Sequence, residues 1–138
     1  MFSVVNNGKL PEAQSKYSAG YDVFAIEDQY IYPGEVRTIK LGFKLSLDEL
    51  SLKEYENYYF GIYLRESMAK KGVMLVNGVG IINIDSTDEI EIKLFNTLKD
   101  PKGYENRNID IKKGDRIAQI ILQKHYGKII LKDSFRKK

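Results

Sequence analysis

The chain has 138 residues and no cysteine, and its 22 lysines and arginines nearly balance 19 aspartates and glutamates. This predicts one domain, residues 1–138, without disulfides or cysteine-ligated zinc, and the single histidine, His125, excludes a multi-histidine metal site within one chain. The small net charge of +3 is not typical of a nucleic-acid-binding protein, and no apolar run or leader predicts a membrane span or secretion, so we expect a cytoplasmic protein.

The first third of the chain predicts strands separated by turns. Residues 1–18 include Asn6-Asn7-Gly8 and predict an extended edge segment. Residues 19–25, AGYDVFA, predict a strand entered from a tight turn, and Pro33-Gly34 marks the next turn. The strongest strand prediction is residues 39–47, where apolar side chains alternate with polar or small ones.

The middle of the chain predicts two short helical segments on either side of a strand. Ser51-Leu52-Lys53-Glu54 fits a capping box, in which the serine accepts a hydrogen bond from a first-turn amide and the glutamate reaches back. Residues 58–64 predict a strand. Residues 67–71 predict one helical turn, which Gly72 ends.

A hairpin is predicted next. Apolar residues alternate with polar ones from Gly80 to Ile84 and again from Ile90 to Leu94, and the turn-rich segment Asp85-Ser86-Thr87-Asp88 lies between them. We expect this hairpin to carry residues 80–86 toward Arg65. Asp85 and Asp88 are typical of a turn, so no metal site is predicted there.

The last third predicts a polar loop at residues 97–108 and strands at 109–111, 116–122 and 129–131. The strand at 116–122 contains few charges and is expected to be buried on both faces. Many short strands with at most one or two short helices predict an all-β sandwich or barrel.

Four separated segments resemble motifs of the deoxyuridine triphosphatase (dUTPase) family. They are AGYDVFA (19–25), PGEVRTIKLGFKL (33–45), RESMA (65–69) and GDRIAQ (114–119). The resemblance covers about residues 8 to 131 and implies a jelly-roll or β-clip barrel. It also implies a homotrimer with three sites at subunit contacts, and Mg²⁺ held through the phosphates of a nucleotide.

The resemblance also implies candidate site residues. Asp22 is expected to position magnesium-bound water, so it contacts the metal only indirectly, and Arg65 is expected to bind phosphate. An alternative interpretation gives Arg65 and Gln119 a purely structural role as inter-strand polar pairs. The corresponding alternative for Asn83 is an ordinary strand residue. The candidate nucleotide-binding residues are Asp22, Arg65, Glu66, Ser67, Asn77, Gly80, Ile82, Asn83, Ser86 and Gln119.

Several positions depart from the family pattern. An ungapped alignment from Gly80 to Asn96 places Asn83 where the family has its catalytic aspartate, and an amide has no usable basicity at neutral pH. Ser86 replaces a tyrosine that packs on deoxyribose, which leaves room for a ribose. Glu66 replaces a serine beside Arg65 and is expected to repel phosphate. The family's glycine-rich arm, with its arginine and phenylalanine, is expected to be missing after residue 133.

These departures predict a nucleotide-binding protein that has lost pyrophosphatase activity and sequesters a nucleotide or nucleotide-derived signal, for example as a viral counter-defence protein. No catalytic residue is assigned on this interpretation. The alternative is an active, Mg²⁺-dependent dUTP diphosphatase whose base comes from elsewhere, for instance from Asp85 after a local shift. A second alternative is a protein-interaction or regulatory module without a ligand. Related dCTP deaminases need a glutamate where this chain has Lys93, so deamination is less favoured.

Overall fold

The computed structural model describes residues 1–127, which form ten strands and two short helices. The helices are α1 (Glu49–Glu54) and α2 (Glu66–Ala69). The strands are β1 (Phe2–Val4), β2 (Tyr21–Phe24), β3 (Gln29–Ile31), β4 (Val36–Leu45), β5 (Tyr58–Leu64), β6 (Val73–Leu75), β7 (Gly80–Asn83), β8 (Glu89–Asn96), β9 (Ile109–Ile111) and β10 (Arg116–Lys124). The predicted all-β class is confirmed, and the strand predicted at 129–131 lies outside the described residues.

Two four-stranded antiparallel sheets make up most of the structure. The first sheet has the order β1-β4-β8-β6, the second has the order β2-β10-β5-β7, and β3 and β9 form a separate pair. Within residues 1–127 the strands form open sheets, so the barrel alternative is not realised as a closed cylinder. No helix among these residues is long or apolar enough to cross a membrane.

The core lies between these sheets because each strand turns its apolar positions to one side. Leu41 and Phe43 of β4 and Leu94 of β8 are fully buried in the first sheet. Ile62 of β5 and Ile120 of β10 belong to the same buried cluster from the second sheet. Each such side chain contributes about 1.5–3 kcal/mol through burial. The prediction that β10 is buried on both faces is wrong for the later part of the strand, since Gln119 and Ile121 are half-buried and Leu122 is exposed.

The predicted hairpin is wrong in its pairing. β7 hydrogen-bonds to β5, with Asn83 opposite Tyr59 and Gly80 opposite Ile62, whereas β8 pairs with β4 and β6. Residues 84–88 therefore join one sheet to the other. An alternating pattern specifies which face of a strand is buried, but it does not specify the partner strand.

The predicted cap of α1 is also wrong. The helix begins at Glu49, and its N-cap is Asp48, whose Oδ1 accepts a hydrogen bond from the Ser51 amide at 2.8 Å. The Ser51 amide is thus the donor in this cap, and Asp48, three residues earlier, is the acceptor. Aspartate caps a helix N-terminus as well as serine does. This hydrogen bond holds the pKa of Asp48 below its ordinary value.

An unusually close backbone contact fixes the N-terminal segment against β4. The Val5 amide donates to the Gly42 carbonyl oxygen at 2.9 Å. Gly42 has a φ of +74°, and a Cβ added there would lie 2.4 Å from the Gly8 Cα, which no side chain can accommodate. The β4–β8 register shifts between Lys40 and Lys44, around this contact. Both glycines are therefore required by the crossing of the two segments.

Candidate functional site

A cluster of charged side chains forms where β2, β5 and β10 meet. Arg116 Nη1 donates to Asp22 Oδ2 at 2.9 Å, and Arg65 Nε lies 3.7 Å from Asp22 Oδ1. Asp22 is only 7% exposed, so its charge is removed from water and compensated by two guanidinium groups. We call Asp22, Arg65 and Arg116 the arginine–carboxylate cluster.

The sheet order explains why distant motifs meet in this cluster. β10 lies between β2 and β5, and Gln119 pairs with Asp22 on one side and with Tyr63 on the other. Arg65 follows β5 directly, and its backbone amide donates to the Ile117 carbonyl at 3.2 Å. The structure thus brings together three predicted residues from three motifs, namely Asp22, Arg65 and Gln119.

Two residues of this region were missed by sequence reasoning. Arg116 connects Asp22 to the N-terminal segment, because its Nη2 lies 3.6 Å from Glu12 Oε2. The Glu12 backbone also pairs with Asp22, with N–O distances of 3.0 and 2.7 Å. Arg116 belongs to the GDRIAQ motif and could have been assigned on that basis. Glu12 carries no comparable signal.

Helix α2 carries the next two predicted residues, Glu66 and Ser67. Arg65 occupies the N-cap position, but its guanidinium has no acceptor for the first-turn amides and lies beside Asp22 instead. The Glu66 side chain is 85% exposed and lies 3.7 Å from Lys70. Because a charge in water interacts only weakly, its repulsion of a phosphate amounts to about 1 kcal/mol or less.

A narrow cleft of 240 Å³ lies between β7 and the β6–β8 edge of the first sheet. Its walls combine aliphatic side chains with the polar side chains of Glu91 and Lys93, and the Asn77 amide provides both hydrogen-bond donors and an acceptor. Three predicted residues meet here, namely Asn77, Gly80 and Ile82. The full lining is Ile62, Leu75, Val76, Asn77, Gly80, Ile81, Ile82, Glu91, Ile92 and Lys93.

The remaining predicted residues, Asn83 and Ser86, lie at the far end of β7. They line a wide, polar cleft of 630 Å³ that also contains Lys40 and Asp85. Asn83 and Asp85 further line a second cavity of 350 Å³, together with His125. We call these two spaces the wide cleft and the His125 cavity. His125 Nδ1 accepts a hydrogen bond from the Gly127 amide at 2.8 Å.

One chain does not place Asn83 beside Arg65. Asn83 is opposite Tyr59 of β5. Arg65 lies six residues after Tyr59, immediately after the end of that strand. At about 3.3 Å per residue, this separation is roughly 20 Å. The expectation that the whole segment 80–86 approaches Arg65 therefore holds only at its Gly80 end, opposite Ile62.

Comparison with known proteins identifies the family. The sequence profile of the dUTPase family matches residues 6–137. The chain belongs to the dUTPase family. Its relatives include the deoxyuridine 5'-triphosphate nucleotidohydrolase of Fowlpox virus, which is 34% identical over 94% of this chain and 80% of its own length. The Rickettsia bellii enzyme of the same name is 35% identical over 92% of this chain and 77% of its own length. The Candida glabrata enzyme is 34% identical, with coverage of 86% and 72%.

Solved dUTPase structures confirm the jelly-roll fold. A mutant dUTPase from phage phi11 of Staphylococcus aureus, described as coordinating a structural Mg(II) ion, superposes with a TM-score of 0.83 at 19% identity. That superposition covers 100% of this chain and 98% of the phage chain. The dUTPase of Streptococcus mutans gives a TM-score of 0.71 at 20% identity, with coverage of 96% and 98%.

These findings correct the main functional prediction. The interpretation as a binding or sequestering protein without enzymatic activity is wrong, because the relatives from a poxvirus, a yeast and a bacterium are all nucleotidohydrolases. The prediction treated one position, Asn83, as decisive for activity. It also gave weight to Glu66, whose exposed side chain has little influence on a phosphate.

Proposed function

We propose that this protein hydrolyses dUTP to dUMP and pyrophosphate. The arginine–carboxylate cluster carries the proposal, because it joins three of the motif segments. The chain is about 34% identical to nucleotidohydrolases across most of its length. Such a cluster offers several charge-assisted donors to a triphosphate. The alternative of a ligand-free interaction module gives this cluster no role.

In this proposal Arg65 and Gln119 bind phosphate oxygens. Arg65 contacts Asp22 loosely, at 3.7 Å, and its side chain is 27% exposed, so the guanidinium can turn to a phosphate. Arg116 donates to Asp22 at 2.9 Å and keeps that carboxylate compensated when Arg65 moves. Asp22 therefore stays paired with Arg116 while Arg65 binds the substrate.

We assign the narrow cleft to the nucleobase. The aliphatic part of its lining suits a flat ring, and the Asn77 amide can pair with the donor and acceptor edge of uracil. Ser86 lies at the sugar end, in the wide cleft. Because its side chain is small, we expect weaker exclusion of a ribose 2′-hydroxyl than a bulky residue would give.

Mg²⁺ fits this site as a partner of the substrate phosphates. Both Asp22 oxygens face guanidinium groups, so the carboxylate is better placed to accept from a magnesium-bound water than to coordinate the metal directly. Among the described residues, no group of three or more histidine, cysteine, aspartate or glutamate side chains could hold a metal ion. When bound, Mg²⁺ neutralises phosphate charge, and it typically keeps several waters.

We further propose a homotrimer in which different subunits contribute the two parts of the site. The separation of roughly 20 Å between Asn83 and Arg65 within one chain supports this arrangement. The edge strands β6 and β7 and the turn between them also expose a group of apolar side chains, which supports an interface. They are Met74, Val76, Val79 and Ile81.

The test is chromatographic separation of dUTP, dUMP and pyrophosphate after incubation with the purified protein and Mg²⁺, with UTP, dCTP and dTTP as comparison substrates. Arg65→Ala should reduce kcat/KM for dUTP about 10²–10³-fold, because it removes a preorganised donor to developing phosphate charge. Arg107→Ala is the matched control, since Arg107 pairs with Glu105 in a loop away from the cluster. Absence of pyrophosphate release from dUTP by the wild-type protein would contradict the proposal.

A further inference from the structure

The inference that follows rests on the proposed hydrolysis and concerns the residue that accepts a proton during it. Water must lose a proton as it attacks a phosphate, and an amide such as Asn83 cannot accept one. Asn83 lines both the wide cleft and the His125 cavity. A carboxylate that takes over this role must be within reach of the same space.

Asp85 is the carboxylate that shares both cavities with Asn83. Asp88 and Glu89 line only the wide cleft, Glu91 lines the wide and the narrow cleft, and Glu56 lines only the His125 cavity. Asp85 is the one acidic residue found in both sets. Its position alone therefore separates it from its acidic neighbours.

The contacts of Glu89 and Glu91 further separate them from Asp85. Glu89 accepts from Asn6 Nδ2 at 2.7 Å and from the Gly42 amide at 3.0 Å, so both of its oxygens are engaged. Glu91 lies 3.5 Å from Lys93 Nζ. Within residues 1–127, Asp85 makes no side-chain hydrogen bond or ion pair that a catalytic step would have to break.

The local backbone holds Asp85 near Asn83. The Ser86 amide donates to the Asn83 carbonyl at 3.1 Å, which closes a four-residue turn with Ile84 and Asp85 at its centre. Ile84 packs against the core, whereas Asn83 and Asp85 are both exposed. Their side chains therefore border the same two spaces.

We propose that Asp85 is the general base of dUTP hydrolysis and that Asn83 orients the attacking water. The water oxygen bonds to the α-phosphorus while Asp85 takes one of its protons, and the bond from the α-phosphorus to the α,β-bridging oxygen breaks. The electron pair of that bond leaves with pyrophosphate, and the proton on Asp85 returns to solvent. The sum is one water and one dUTP converted to dUMP and pyrophosphate.

The first test replaces the base without changing its shape. Asp85→Asn should lower kcat about 10²–10⁴-fold and leave KM for dUTP nearly unchanged, since general-base catalysis contributes this much to the chemical step. Asp110→Asn is the control, because Asp110 forms an exposed ion pair with Lys112 and lines neither the clefts nor the His125 cavity, and its kcat should stay within about twofold of wild type. Circular dichroism and binding of a non-hydrolysable dUTP analogue establish that each variant is folded.

The second test moves the carboxylate by two positions. The exchanged variant Asn83→Asp with Asp85→Asn should recover at least tenfold of the kcat lost in Asp85→Asn, because a base is restored to the same space. Full activity in Asp85→Asn, or equal losses in Asp85→Asn and Asp110→Asn, would overturn the assignment of Asp85 while leaving the proposed function intact. An inactive wild-type protein would instead contradict the proposed function.

Discussion

Asp22 is the residue on which the arginine–carboxylate cluster depends. Its carboxylate is almost fully buried and faces Arg116 and Arg65. A buried ion pair contributes little net stability, but removing one partner leaves the other charge uncompensated. Breaking the cluster is therefore expected to lower the stability of the folded protein.

We expect Asp22→Ala to lower the free energy of unfolding by about 1–3 kcal/mol, toward the lower end because Arg116 is partly exposed to solvent. Urea denaturation monitored by tyrosine fluorescence measures this change. Asp110→Ala is the control, because Asp110 forms an exposed ion pair with Lys112. Its loss should change stability by less than about 1 kcal/mol. Equal effects of both substitutions would argue against a buried, compensated Asp22.

At the scale of single residues, the sequence could predict those that lie inside recognisable motifs. Asp22, Arg65 and Gln119 were expected at one site, and the structure places them together. Glu12 could not be found this way, because its contact with Arg116 joins positions far apart in a segment without a motif. Asp85 was considered only as a turn residue or a displaced base, since its two cavities exist only after folding.

At the scale of elements, the cap of helix α1 gives a pH-dependent contribution with a definite sign. The Ser51 amide lowers the pKa of Asp48 in the folded protein. A lowered folded pKa means that the stabilisation is complete above the unfolded pKa of about 3.9 and is lost as the pH falls through the folded value.

Asp48→Ala should therefore lower the thermal unfolding midpoint at pH 7 by a measurable amount, and the difference from wild type should shrink at pH 2.5. Differential scanning calorimetry at both pH values measures it. Glu54→Gln, at the exposed last turn of the same helix, should have little effect at either pH. A difference that is as large at pH 2.5 as at pH 7 would contradict a charged cap.

The elements themselves were largely predictable, but their partners were not. Strand β5 was expected at residues 58–64 and is found there, because its composition is apolar and aromatic throughout. The link from β7 to β8 was expected to be a hairpin and instead crosses between sheets. A turn sequence such as Asp85 to Asp88 bends the chain in either case, so local chemistry does not distinguish the two topologies.

At the scale of the whole molecule, the exposed apolar edge of β6 and β7 leads to a prediction about assembly. Ile81 is 70% exposed on the edge strand β7. Ile81→Lys should convert the proposed trimer to monomers and lower dUTP hydrolysis by at least tenfold, because it places a charge in an apolar contact. Sedimentation velocity measures the oligomeric state.

Leu50→Lys is the control for this substitution, since Leu50 is 77% exposed on helix α1. It should leave both the assembly and the activity unchanged. A wild-type protein that sediments as a monomer while hydrolysing dUTP would contradict the proposal that subunits share the site.

Function is also a property of the whole molecule, and the loss of activity predicted from single residues is wrong. An amide at position 83 argues against a base at that position, but it says nothing about carboxylates that folding brings to the same space. The family resemblance was correctly inferred from four short motifs, and the profile match over residues 6–137 confirms it. The loss of activity was inferred from too few positions.

The crossing of Gly8 and Gly42 has a consequence for the fidelity of folding. A slip of β4 by one residue would bring Leu41 or Phe43 to the point where Gly42 meets the Gly8 backbone, and neither side chain fits there. The N-terminal segment can therefore dock only on a correctly aligned β4. This steric restriction disfavours a misaligned β4 in the folded protein.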